Sequence, residues 1–218
     1  PTNQCNAVVD SIATIPCTAD EDDLYMIVKR TVNGSTVRYI EYLSNYEFGT
    51  DIKDAYFVDC GLTYSGTAAT SISGLTHLEG EKIVVLGDGA THPDRTVSSG
   101  GITLARSVQK AHIGFNYKST LQTMRIDAGG TEGTSQGKNK RINNITLRLY
   151  KSVGVKVGSS EAELDLIPFR SSADDMSEAL GMFTGDKEVE FRGGYDNDGF
   201  VFVRQDQPLP LTVLACLL

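Results

Sequence analysis

The sequence predicts a mainly β chain made of several small antiparallel modules, with at most one short helix. Three observations predict it. Val, Ile, Thr and Tyr fall in short runs bounded by turn formers, as they do in half-buried strands. The 22 glycines punctuate those runs. Apolar residues recur at helical spacing almost nowhere. At 218 residues the chain has room for one large or two to three small domains with cores of their own. The expected division is a β-hairpin module over residues 1–56, a small β-barrel over 57–110 and an antiparallel β domain, sandwich or single sheet, over 111–218.

Residues 8–15 alternate loosely and stop at Pro16, as a strand would. The acidic run at 20–23 reads as a turn. The clearest hairpin follows: LYMIVKRT, a turn at Val32-Asn33-Gly34-Ser35, then TVRYIEYL. Asn-Gly between two apolar strands tolerates the positive φ that a type I′ turn requires. The stretch around which the rest is organised is 56–89. Tyr56-Phe57-Val58 and the run from Lys82 to Leu86 read as strands. Ile72 and Leu75 flank a turn at Gly74, and Gly87-Asp88-Gly89 can reverse the chain tightly. Strands so closely spaced imply a compact barrel or sandwich insert. Two short strands around Ser98-Ser99-Gly100-Gly101 would close it near Lys110, and His112-Ile113-Gly114-Phe115 would open the next unit.

Residues 116–125 read as a strand, or a strand with a bulge, and 128–138 as a Gly-rich loop. Over 140–151, Ile145, Leu147 and Leu149 alternate with polar residues, which predicts a long half-buried strand. Residues 153–158 and 162–167 form a further hairpin. SSADDMSEALGMF, residues 171–183, is the one helix candidate. Ser171 or Ser172 could cap it, acids occupy its first turn, and Met176, Leu180 and Phe183 share a face. Gly181 and the short length leave a capped loop as the alternative. The last strands are expected over 188–192, 199–205 and 211–218.

No apolar run is long enough to span a membrane and no signal-like leader begins the chain, so a soluble protein made in a cytoplasm is expected. Cys5, Cys17, Cys60 and Cys216 have no CxxC spacing. That argues against zinc and thioredoxin-like chemistry and for buried thiols, with a Cys5 to Cys17 bridge as an alternative. The net charge of −8 hides a segregation. Residues 1–60 carry ten acids against four bases, a net −6; residues 106–156 carry ten bases against two acids, a net +8; residues 161–198 carry eleven acids against three bases, a net −8. Such blocks either face one another or face different partners.

Catalytic motifs are lacking. His77, His92 and His112 sit in no HExxH or GxSxG pattern. His77, Glu79 and Glu81 could converge on a cation if they alternate along a strand, although a solvated turn explains them as well. Asp196-Asn197-Asp198-Gly199 resembles the opening of a calcium loop, but its twelfth position is Gln207 in place of a bidentate Glu, so a hairpin turn is expected. The expectation is no enzyme, no catalytic or metal-ligating residue and no cofactor. The candidate surface is the basic band: Lys118, Arg125, Lys138, Lys140, Arg141, Arg148 and Lys151, preceded by Arg106 and Lys110. It could contact DNA phosphates, fit an acidic neighbouring subunit, or be ordinary solvated surface.

FVDCGLTYSG, ISGLTHLEGEKIVVLGDGA, IGFNYKSTLQTMR, GKNKRINNITLRLYKSVGVKVG and QPLPLTVLA together resemble the C-terminal portion of the tail nozzle proteins, or tail tubular protein B, of short-tailed bacteriophages. The segment from Leu75 to Thr103 also resembles the small β-barrel labelled FCCH-like, a fold label that carries no ubiquitin chemistry. The resemblance implies that the first hairpin is part of a propeller blade, the other blades lying outside this chain. The start at Pro1 and the apolar stop at Leu218 fit a piece of a longer polypeptide. It also implies a homo-oligomeric ring, expected as a hexamer, in the virion tail, assembled in the bacterial host cytoplasm. Its partners would be tail adaptor and fibre proteins, with transient, non-specific DNA passage during ejection and no membrane span. The alternative is a carbohydrate- or receptor-binding β-module of a phage tail, using Tyr39, Tyr42, Tyr46, Tyr64 and Tyr117. A cell-wall hydrolase built on His77, Glu79 and Glu81 is a third, weaker alternative.

Overall fold

The structure, a computed structural model, describes residues 7–17, 22–127, 133–134 and 137–218. Its regular elements are strands and two single-turn 3₁₀ segments, so the chain is mainly β with several small antiparallel sheets. It divides into two compact units, Pro1–Tyr117 and Lys118–Leu218.

Unit 1 begins with β1 (Ala7–Pro16), β2 (Asp22–Val32) and β3 (Ser35–Tyr42), paired antiparallel in that order. The β2–β3 turn is the one the sequence predicts. Asn33 and Gly34 have φ of 47° and 75°, and Val32 faces Ser35. The second sheet contains β4 (Asp59–Ser73), β5 (Lys82–Gly87), β6 (Ala90–Thr96) and β7 (Gly101–Phe115) in the order β4-β7-β5-β6. Asp88 and Gly89 repeat the positive-φ turn between β5 and β6. Leu75, Leu78, Ile83, Val85, Val97 and Ile113 fill the core of this unit.

Three expectations change here. Tyr56-Phe57-Val58 is an irregular approach to β4, its rings packing on Phe48 and on His112 of β7 while its backbone joins no ladder. Phe57 meets Phe48 edge-on and Tyr56 meets His112 the same way. β4 itself runs through a segment rich in Gly, Ser and Thr that carries little apolar signal, most of it being exposed on an edge. β7 continues past residue 110 to Phe115, so His112 to Phe115 end this strand and do not open a new unit. The cause is burial on both sides: there β7 lies between β4 and β5, and alternation gives way to a continuous buried run. Hydrogen bonding leaves β4 and β6 as edges, so the expected barrel is an open, bulged sheet.

Arg30 joins the two sheets of unit 1. It is 4% exposed. Its guanidinium donates to both Glu41 carboxylate oxygens at 2.6 and 2.7 Å and to both Asp59 oxygens at 2.7 and 2.8 Å. Burial works against its charge, but the bonds to Glu41 and Asp59 outweigh it and hold its pKa above the ordinary value. The Tyr39 hydroxyl, donating to the His77 carbonyl, and the Asn33 amide, donating to Glu81, add further ties.

His92 and His112 are buried in the same unit. Arg106 Nε donates to His92 Nε2 at 2.9 Å; His112 Nε2 faces the Lys53 carbonyl at 3.0 Å and its Nδ1 faces Thr63 Oγ1 at 2.8 Å. These contacts suit neutral rings. Burial lowers both pKa values below the ordinary 6.5, and the Arg106 and Arg95 charges lower that of His92 further. Between the lowered folded value and 6.5 the unfolded chain binds more protons, so stability rises with pH through this window. The contribution is complete above 6.5 and lost as pH falls toward the folded value. The urea midpoint of unit 1 should therefore decline as pH drops below 6.5, and His112→Gln should flatten that decline.

Unit 2 is a sandwich. Its strands are β8 (Ser119–Gln122), β9 (Asn144–Ser152), β10 (Lys156–Ser160), β11 (Glu163–Leu166), β12 (Phe183–Glu190), β13 (Phe202–Gln205) and β14 (Thr212–Leu217). One sheet has the order β11-β10-β13-β8, the other β12-β9-β14. Ile145, Leu147 and Leu149 of β9 point inward as the alternation predicts and share a core with Val157 of β10 and Val203 of β13. The helix candidate at 171–183 is the capped-loop alternative. Asp174 accepts from the Ser171 amide as in a cap, but Asp175 takes the Ser177 amide that a helix would give to the Ala173 carbonyl, so the turn is not continued. Met176 is exposed and has nothing to anchor a helical face. Cys5, residues 20–21 of the acidic run and most of the Gly-rich loop at 128–138 lie outside the described residues.

Candidate functional site

The period of two on β9 sends Leu147 and Leu149 into the core and Arg148 outward. There Arg148 stands opposite Asp186 of β12 and grips it with two bonds, 2.7 and 2.8 Å. The pair holds the Arg148 pKa up and the Asp186 carboxyl below the usual carboxylate range. Glu188 and Glu190 follow on β12, so this part of the band is already matched by acids of its own sheet. Arg125 is matched by Asp198 at 2.9 Å. Lys151 places its ammonium 5.2 Å from the Tyr150 ring. Lys118 and Lys138 are exposed. Arg106 and Lys110 belong to unit 1, engaged with His92 and with Asp54.

The remaining cations gather at the start of β9. Lys140 exchanges two backbone hydrogen bonds with Asp196, and its Nζ donates to the Ile126 carbonyl at 2.6 Å. The bridge holds the two loops together and brings Tyr195, which the sequence reading did not single out, under the Arg141 guanidinium at 6.0 Å. Beside them lies an open depression of about 310 Å³ lined by Ile126, Lys140, Arg141, Ile142, Asn143, Asn144 and Leu218. The one available signal for Tyr195 was an aromatic residue set among Gly193, Gly194 and Asp196, where a core role is unexpected.

No protein-family model matches the chain, and no curated protein does.

The remaining candidates resolve into structural contacts. Glu79 caps the Ser99 and Gly100 amides at 2.8 and 2.7 Å, Glu81 accepts from Asn33, and His77 Nε2 faces the Cys60 carbonyl at 3.2 Å. Their polar atoms thus turn to three different places. Among the described residues no group of three or more His, Cys, Asp or Glu side chains converges as a metal site requires. The Asp196 carboxylate accepts from the Gly199 amide, closing a turn with Gly199 at φ 64°. That bond, with those from the Asp198 and Asn197 amides, keeps its pKa low. Burial, reinforced by Glu41, pushes the Cys60 thiol up to about 12, which leaves almost no nucleophilic thiolate. Of the tyrosines, Tyr39 and Tyr64 spend their hydroxyls on the backbone carbonyls of His77 and Thr67, whereas Tyr42, Tyr46 and Tyr117 are exposed. Among the described residues no helix is long and apolar enough to cross a membrane.

Proposed function

We propose that the chain is an architectural subunit that assembles with copies of itself, as part of the ring-shaped tail nozzle that conducts DNA out of a short-tailed phage. The observation that carries this reading is β1. All ten of its residues are exposed. It is an outer strand of its sheet, so among the described residues one row of its backbone donors and acceptors has no ladder partner. Its one charge, Asp10, is bound to Arg38. Val9 and Ile12 are 49% and 65% exposed on one face, and Ile15 lies open on the other. Three other edges carry defences: β12 has Asp186, Lys187, Glu188 and Glu190, β6 has Pro93, Asp94 and Arg95, and β4 is broken by bulges, whereas β8 and β14 are uncharged but shorter. At ten residues β1 is the longest of these undefended edges, and it is suited to a neighbouring strand.

The occupant we assign is a second copy. Charge is compatible with it, since residues 1–60 carry a net −6 while Lys118, Lys138 and Arg141 remain after Arg125 and Arg148 are matched within the fold, and head-to-tail contacts join unlike patches. In this reading adaptor and fibre proteins would meet the assembled ring. The test is sedimentation of the full chain over a concentration series, with electron micrographs scored for rings with a central opening. The expected result is assembly that the double change Val9→Lys, Ile12→Lys abolishes without altering the melting curve. A chain that stays monomeric at every concentration, or a double variant that assembles like the parent, refutes it.

The second reading is a carbohydrate- or receptor-binding module. It is favoured by Tyr25 and Tyr42, whose rings lie 6.0 Å apart on the outward face of the β1–β3 sheet, with Tyr42 62% exposed. Glycan-array screening separates the two.

A further inference from the structure

We propose that the corner of unit 2 formed by Lys138, Lys140, Arg141 and Tyr195 binds single-stranded nucleic acid. An unstacked base would lie against Tyr195 and the adjoining depression, with flanking phosphates on the cations. The chemistry is that of a nucleotide, which offers a flat π face and a negative charge a short distance apart. Tyr195 is 73% exposed, so its ring is available to a ligand. The Arg141 guanidinium over that ring extends the flat surface with a plane that also attracts phosphate. The depression of about 310 Å³ has an apolar part in Ile126 and Ile142 and amide edges in Asn143 and Asn144. That volume is at the small end for a ligand pocket and has room for one base. Amides can bond the edge of any base, which favours contact without strong sequence preference.

Of the nearby acids Glu190 of β12, opposite Asn144, opposes a phosphate, and the others are engaged. The Asp196 carboxylate is turned into its own loop, Asp198 is held by Arg125, and Glu188 accepts from Asn144. Lys140 keeps protons for a phosphate, since one bond to the Ile126 carbonyl uses one of the three an ammonium carries. Two backbone hydrogen bonds fix the loop of Arg141 against the loop of Tyr195, so the pair is set before any ligand arrives. A duplex hides its base faces and would find only the charges here.

This site is independent of strand-edge assembly through β1, and its test is chosen so that the two can fail separately. A fluorescent oligothymidylate of about 12 nucleotides, a length within the range that small β folds cover, is titrated into the full chain. The same sequence as a duplex, and polyglutamate, serve as competitors. The expected result is saturable binding that Tyr195→Ala weakens about tenfold and Tyr195→Phe retains. Arg141→Ala should lower the slope of log affinity against log salt by about 0.7 for each phosphate that is no longer neutralised. Tyr195 is exposed, so unchanged melting of its variants shows that the loss is local. The proposal is overturned if the oligothymidylate does not bind, if Tyr195→Ala binds like the parent, or if the duplex competes as well as the single strand. Equally strong competition by polyglutamate overturns it too, and assigns the corner to an acidic protein.

Discussion

Arg30→Met is expected to destabilise unit 1 by about 3–5 kcal/mol, the range for removing one partner of a buried ion pair. The side chain is buried, and the change leaves Glu41 and Asp59, which are 16% and 28% exposed, facing each other without a cation. The guanidinium makes two bonds to each carboxylate, so Arg30→Lys cannot restore the arrangement with one ammonium and should recover part of the loss at most. Urea unfolding followed by circular dichroism measures both. The triple change Arg30→Met, Glu41→Leu, Asp59→Leu is the informative control. Replacing the whole network by apolar side chains should cost far less than removing its centre, because no carboxylate is then left buried and unpaired. A loss below about 1 kcal/mol for Arg30→Met would mean that water screens the cluster as it screens a surface pair.

Gly158→Ala is expected to be comparably damaging in unit 2, by about 3 kcal/mol or more. Gly158 sits where the β10–β11 register shifts, between its pairing with Leu164 and that of Ser160 with Glu163. A β-carbon there would fall 1.7 Å from the Glu163 carbonyl oxygen, so the two backbones must separate. The neighbour is main chain and cannot rotate away. Gly181→Ala gives the contrast: nothing lies within 4 Å of the added carbon, and the change should stay within about 0.5 kcal/mol. Comparable melting of the two variants would refute the crowding at β10–β11.

What the sequence disclosed, and what it hid, follows from how local each signal is. The Asn33-Gly34 turn and the β9 alternation are written within a few residues of themselves and stand as read. β4 escaped notice because an edge strand with most of its positions exposed needs few apolar residues, and Gly, Ser and Thr spell a loop to any local rule. β7 was cut in two because its polar middle, Arg106 to Gln109, reads as a boundary. Only the flanking strands, distant in sequence, reveal that the ladder continues. The stretch from Ser171 to Phe183 had a helix's spacing but no surface to pack against, and Asp175 took the Ser177 amide that a helix would use. At the candidate surface the reading found the cations but not their pairing. Asp186 and Asp198 are remote from Arg148 and Arg125 in sequence, and the fold brings each pair together. The pairing of Tyr195 with Arg141 was hidden for the same reason, since the Lys140 to Asp196 bridge that joins their loops is not local.

The pairing of β8 with β13 governs the order in which the halves can mature. Gln122 meets Phe202 and Ser119 meets Gln205, so the first strand of unit 2 to leave the ribosome waits for nearly the last. Unit 1 has all its strands in hand once Phe115 has been made. During synthesis the N-terminal half can therefore reach its native state while the C-terminal half is still an open chain, and a premature stop before β13 would leave a folded head on a tail that chaperones must hold.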